Sequence, residues 1–64
     1  MEVVKGGLYR NKKHGTTYIV LGFTRHSESL DILVTYDREN PADRADLPWS
    51  RPLELFKKKF ETFK

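Results

Sequence analysis

Thr16-Thr17-Tyr18-Ile19-Val20-Leu21-Gly22-Phe23 and Leu30-Asp31-Ile32-Leu33-Val34-Thr35-Tyr36 flank the polar knot Arg25-His26-Ser27-Glu28-Ser29. Both flanking runs are dense in β-branched and aromatic residues, the types that fit a pleated, half-buried surface. They read as two strands, and the short polar connection makes an antiparallel hairpin their natural pairing. Side chains alternate across a strand. In the first run the larger apolar content places Thr17, Ile19, Leu21 and Phe23 toward the core, with Tyr18 and Val20 on the other side. In the second, Leu30, Ile32 and Val34 form the better core face, against Asp31, Leu33 and Thr35. Gly22, without a side chain, marks a bulge or bend.

On the N-terminal side, Leu8-Tyr9-Arg10 starts a short strand, and Asn11-Lys12-Lys13-His14-Gly15 reads as a hairpin turn with Gly15 at positive φ. Residues 1–6 read as a loose leader before the flexible pair Gly6-Gly7. On the C-terminal side, residues 37–48 carry charge and turn formers without an apolar period. They read as an exposed acidic loop with one helical turn after Pro41. Trp49 leads the chain back to the core. Pro52-Leu53-Glu54-Leu55-Phe56 has the proline and early acid of a helical turn, and the tail 57–64 is read as closing with a short strand. The whole is mostly β: about five short antiparallel strands and one helical turn near residues 52–56.

A chain of 64 residues holds one domain, 1–64, and at 38% hydrophobic residues it builds a thin core without a deep enclosed pocket. That argues against an enzyme that must wrap a large substrate. Cysteine is absent, which excludes disulfides and thiolate metal sites and fits a cytoplasmic protein. No run reaches the roughly 20 apolar residues of a membrane helix, and no signal peptide is expected. The net charge of +3 is unevenly placed, with residues 1–25 at +4, 26–49 at −4 and 50–64 at +3. Two basic ends flank an acidic middle, so a basic face results if the ends meet.

Several chemistries are tested by these residues. His26 and Ser27 are sequence neighbours whose side chains diverge in an extended chain, and no glycine elbow surrounds the serine, so nucleophilic catalysis is not expected. Ser27 and Glu28 are instead expected to satisfy turn backbone groups. Only His14 and His26 are available as imidazole ligands, so neither a metal site nor any cofactor is expected; His14 reads as solvated. Arg10, Lys12, Lys13, Arg25 and Arg51, with Tyr9, Tyr18 or Trp49 as stacking surfaces, form the pattern of a single-strand nucleic-acid binder. The competing assignment puts the aromatics in the core and leaves the lysines as solubilising charge. Lys57-Lys58-Lys59 reads as a solvated run interrupting a phenylalanine-rich tail.

Gly7-Leu8-Tyr9-Arg10, Lys13-His14-Gly15, Tyr18-Ile19-Val20-Leu21, Arg25-His26-Ser27-Glu28-Ser29, Val34-Thr35-Tyr36 and Trp49-Ser50-Arg51-Pro52-Leu53-Glu54-Leu55-Phe56 follow one another in an order that resembles the bacterial and phage domain family DUF1653. The resemblance spans about residues 6–56. It departs at Ser29, where threonine is usual, in the acidic loop 37–48, and in the basic tail after Phe56. It implies a small SH3-like β-barrel and no established activity. In such a barrel the knot lies near the last helical turn, so Arg25, His26, Glu28, Tyr36 and Arg51 are expected to form a polar site. The alternative is a buried network in which Glu28 pairs with Arg51 or Arg25.

The expected function is a non-enzymatic binding module recognising an anionic target, nucleic acid or an acidic protein surface. The candidate binding residues are Arg10, Lys12, Lys13, Arg25, His26, Glu28, Tyr36, Trp49 and Arg51. The alternatives are a protein–protein module or small phage-type effector of a host protein, and a small-molecule or catalytic site at Arg25–Ser29. No membrane partner is expected.

Overall fold

The computed structural model describes residues 1–44 and 47–63. Strands β1 (Leu8–Asn11), β2 (Thr17–Arg25), β3 (Ile32–Arg38) and β4 (Trp49–Pro52) run as an antiparallel meander. A 3-10 turn, Pro41–Asp43, lies between β3 and β4. Helix α1 (Leu53–Lys59) follows β4 directly and leads into β5 (Phe60–Thr62), which pairs with β1. The single sheet has the order β4-β3-β2-β1-β5.

The expected five antiparallel strands are all present, but the sheet is not closed into a barrel. Its two edges, β4 and β5, are consecutive in sequence and are joined by α1 rather than by hydrogen bonds. Aromatic packing closes the gap instead. Phe56 of α1 and Phe60 of β5 lie parallel, 4.2 Å apart at 5°, and both are buried. The helical turn expected at 52–56 is therefore longer and later: Pro52 ends β4 and stands at the helix N-cap. A closing strand does follow.

The core consists of Tyr9, Val20, Val34, Tyr36, Phe56 and Phe60. Four of the six are aromatic, which is how so short a chain fills its interior. Tyr9 and Tyr36 meet Phe56 edge-on at 5.5 and 5.3 Å, and Tyr36 meets Phe60 at 5.3 Å. Each such contact adds about 0.5–1.5 kcal/mol beyond area burial.

This core corrects the expected face of β2. Val20 is buried and Tyr18 packs on the core, whereas Leu21 is 38% exposed. Val20 stands opposite Tyr36 and Gly22 opposite Thr35, so the expected irregularity is a bulge at Leu21 that shifts the register by one and exchanges the faces. Beyond it Phe23 is on the core side as expected, opposite Val34, yet 42% exposed. In β3, which starts at Ile32, Val34 is in the core as expected, while Ile32 and the preceding Leu30, outside the strand, are exposed. Asp37 and Arg38, expected in the acidic loop, belong to β3; Asp37 is buried, its Oδ1 accepting from the Arg38 amide at 2.7 Å. Residues 39–44, 47 and 48 are exposed as the loop was expected to be, and 45 and 46 lie outside the described residues.

The leader is not loose. The Tyr9 hydroxyl accepts from the Val4 amide at 2.8 Å and donates to the Glu2 carbonyl at 3.2 Å. The Gly6 amide donates to the Val20 carbonyl at 2.8 Å, extending the ladder beside β2, and Val3 packs on the core.

Candidate basic cleft

The β1–β2 turn forms as expected. Asn11 Oδ1 accepts from the amides of Lys13 and His14 at 2.9 Å each, and Gly15 takes φ +77°. The Lys12 amide donates to the Lys59 carbonyl at 3.0 Å, docking the turn on the C-terminal end of α1. Arg51 of β4 stands opposite buried Val34, so both point to the core side of the sheet. These three elements enclose a cleft of about 250 Å³ lined by Asn11, Lys13, His14, Arg51 and Lys59. Among the described residues, no carboxylate lines it.

An aromatic shoulder adjoins the cleft through Arg51. The Arg51 guanidinium lies 5.7 Å from the Phe60 ring centre. Trp49, opposite Tyr36, stacks on it at 6.2 Å and 26°, takes an edge contact from Tyr18 at 5.9 Å, and stays 38% exposed. The Arg38 guanidinium sits 5.6 Å from the Trp49 ring centre, within cation–π range. Burial pushes the Tyr36 phenol above its ordinary 10.0; the Arg51 charge opposes this and Tyr18 adds to it.

The expected site residues therefore separate into three places. Lys13 and Arg51 line the cleft, Tyr36 and Trp49 belong to its shoulder, and Lys12 shares the turn. Arg10 alternates with buried Tyr9 and so lies on the opposite face, where Nη2 pairs with Glu61 Oε2 at 2.7 Å. Arg25, His26 and Glu28 lie exposed at the far end of the β2–β3 hairpin.

Neither the polar site nor the buried network expected around Glu28 is formed. Among the described residues the only ion pair is Arg10–Glu61. The knot is a turn that satisfies itself: His26 Nδ1 accepts from the amides of Glu28 and Ser29 at 3.2 and 3.3 Å, and Ser29 Oγ accepts from the Asp31 amide at 3.3 Å. These roles had been expected of Ser27 and Glu28. Leu30 closes the turn at φ +64°, a left-handed conformation that costs a leucine about 1–2 kcal/mol.

Three residues of the basic region were not among the expected ones. His14 read as solvated, Lys59 as part of a solvated run, and Arg38 as loop. For His14 the signal was present, since it shares one turn with Lys12 and Lys13. Lys59 had none, because its place depends on a chain reversal after the helix.

Among the described residues, no helix is long and apolar enough to cross a membrane. The sequence model of one family, a protein of unknown function (DUF1653), matches residues 5–64. No curated protein and no solved structure matches the chain.

Proposed function

The chain belongs to the DUF1653 family, and on that premise we propose that it is a non-enzymatic module binding single-stranded nucleic acid at the basic cleft. One observation carries this reading: a cleft lined by Lys13, His14, Arg51 and Lys59, with no carboxylate among the described residues of its lining, stands beside the half-exposed Trp49. Cations track phosphates irrespective of sequence, and an exposed aromatic ring offers any base a stacking surface. No described residue of the acidic loop lines the cleft. His26, the one imagined catalytic base, spends Nδ1 on two backbone amides, which favours a binding role over catalysis. The proposed setting is the cytoplasm, where nucleic acid is met and a cysteine-free chain is at home.

Fluorescence anisotropy with labelled single-stranded and duplex oligonucleotides over a salt series tests this. Binding is expected to weaken linearly in log–log terms, at about 0.7 per phosphate neutralised on a single strand. Replacing Lys13, Arg51 and Lys59 by glutamine flattens the slope by ~2 in total, at three phosphates lost. Trp49 emission is quenched on binding. Unchanged anisotropy at low salt with both probes overturns the reading.

A further inference from the structure

A hollow larger than the basic cleft is present as well. It lies at the opposite end of β2, between the knot and the start of α1, with a volume of about 400 Å³ and Leu30, Ile32, Pro52 and Leu53 among its walls. A second hollow of about 230 Å³, lined by Phe23, Thr24, Arg25 and Ile32, meets it at Ile32. The register explains why this end is apolar. Phe23 stands opposite Val34, and Arg25 opposite Ile32, so Phe23 and Ile32 are on the core side of the sheet. Helix α1 covers Val34, which is fully buried, but leaves Phe23 and Ile32 42% and 43% exposed, beside Leu30 at 60%. Core-facing side chains thus extend past the element that should cover them, and a contiguous apolar patch of this kind marks an interaction surface.

The charges around the patch select its occupant. Arg25 borders one hollow, and Asp31 and Glu54 border the other, with Ile32 between them. A single surface with opposite charges on either side of an apolar centre is complementary to itself under a two-fold rotation. We infer that the hairpin end is a self-association face, on which two copies of this chain pack about an axis near Ile32, Arg25 of each protomer meeting Asp31 and Glu54 of its partner. The turn that carries the basic cleft lies at the other end of β2, so both clefts stay open in the dimer. The inference is independent of what the clefts bind.

Sedimentation equilibrium of the purified chain without nucleic acid, from micromolar to millimolar concentration, tests it. A monomer–dimer equilibrium is expected. Phe23→Ser and Ile32→Ser are each expected to weaken it at least about tenfold, as truncation of a central apolar contact does, with circular dichroism confirming that the variants stay folded. Charge reversal adds a test that does not depend on core contacts. Arg25→Glu alone and Asp31→Arg/Glu54→Arg alone are expected to be monomeric, because like charges face each other in each. A mixture of the two is expected to associate. A monomer throughout the range, a dimer indifferent to Phe23 and Ile32, a mixture that stays monomeric, or a monomer that holds a different protein on these residues overturns the inference.

Discussion

His26 presents, at the scale of one residue, the difference between a side chain that looks reactive and one that is occupied. Its Nδ1 is directed to the amides of Glu28 and Ser29, so the ring caps a turn. The turn is exposed and water replaces a lost acceptor, so His26→Ala is expected to cost about 0.5–1 kcal/mol in urea unfolding. His26→Asn recovers part of this, since an asparagine oxygen reaches the amide two residues on. Nucleic-acid affinity stays unchanged in both; a loss of affinity at unchanged stability would return the knot to the site. Tyr36 gives the pH dependence. Burial holds its phenol protonated above the ordinary 10.0. The unfolded chain releases that proton first, so this contribution is complete below 10.0 and is lost as pH rises through the higher folded value. Unfolding midpoints on either side of 10.0 should fall for the native chain and fall less for Tyr36→Phe. Arg51→Gln, which removes the opposing charge, should make the alkaline loss larger.

The elements were legible where their signals are local. Asn11 to Gly15 announces a turn and forms one, and the β-branched runs around the knot form β2 and β3. Proline followed by an early acid announces α1, although the helix starts at Leu53 and runs to Lys59. Which side of β2 is buried was not legible. Up to Val20 the even positions face the core, and after the bulge the odd positions do, so no single period describes the strand. Counting apolar side chains then favours Ile19 and Leu21, while packing against Tyr36 and Phe60 selects Tyr18 and Val20. The leader was misread for a related reason, as its partner is a tyrosine hydroxyl and not a strand pattern. Gly7 tests that attachment. A Cβ there would stand 2.8 Å from the Tyr9 hydroxyl oxygen, and Tyr9 is buried and has little room to move. Gly7→Ala is expected to speed amide hydrogen exchange at Val4 and Gly6, with β2–β3 amides retaining their protection. Unaltered exchange at Val4 would show that the leader is held by something other than Tyr9.

At the scale of the molecule, the link least visible in the sequence is the pairing of β1 with β5, because Arg10 and Glu61 are separated by 51 positions. Closure of so long a loop costs entropy that only a non-local reward offsets. The same distance hid Lys59 from the cleft, which exists because the chain turns back at the end of α1 to reach β1. Two contacts compete for the credit. The Arg10–Glu61 pair is exposed, its side chains 45% and 42% accessible, and pairs of that kind are worth about 0–1 kcal/mol. Phe60 is buried between Phe56, Tyr18 and Tyr36, and truncating a core phenylalanine costs about 3–5 kcal/mol. A domain of this length holds about 3–10 kcal/mol in all. Glu61→Gln is therefore expected to shift the urea midpoint slightly and to lose even that at high salt. Phe60→Ala and Phe56→Ala are each expected to unfold much of the population and, with it, to dismantle the cleft that Lys59 and Arg51 form. If Glu61→Gln proved as damaging as Phe60→Ala, electrostatics and not the aromatic stack would be what joins the two edges of the sheet.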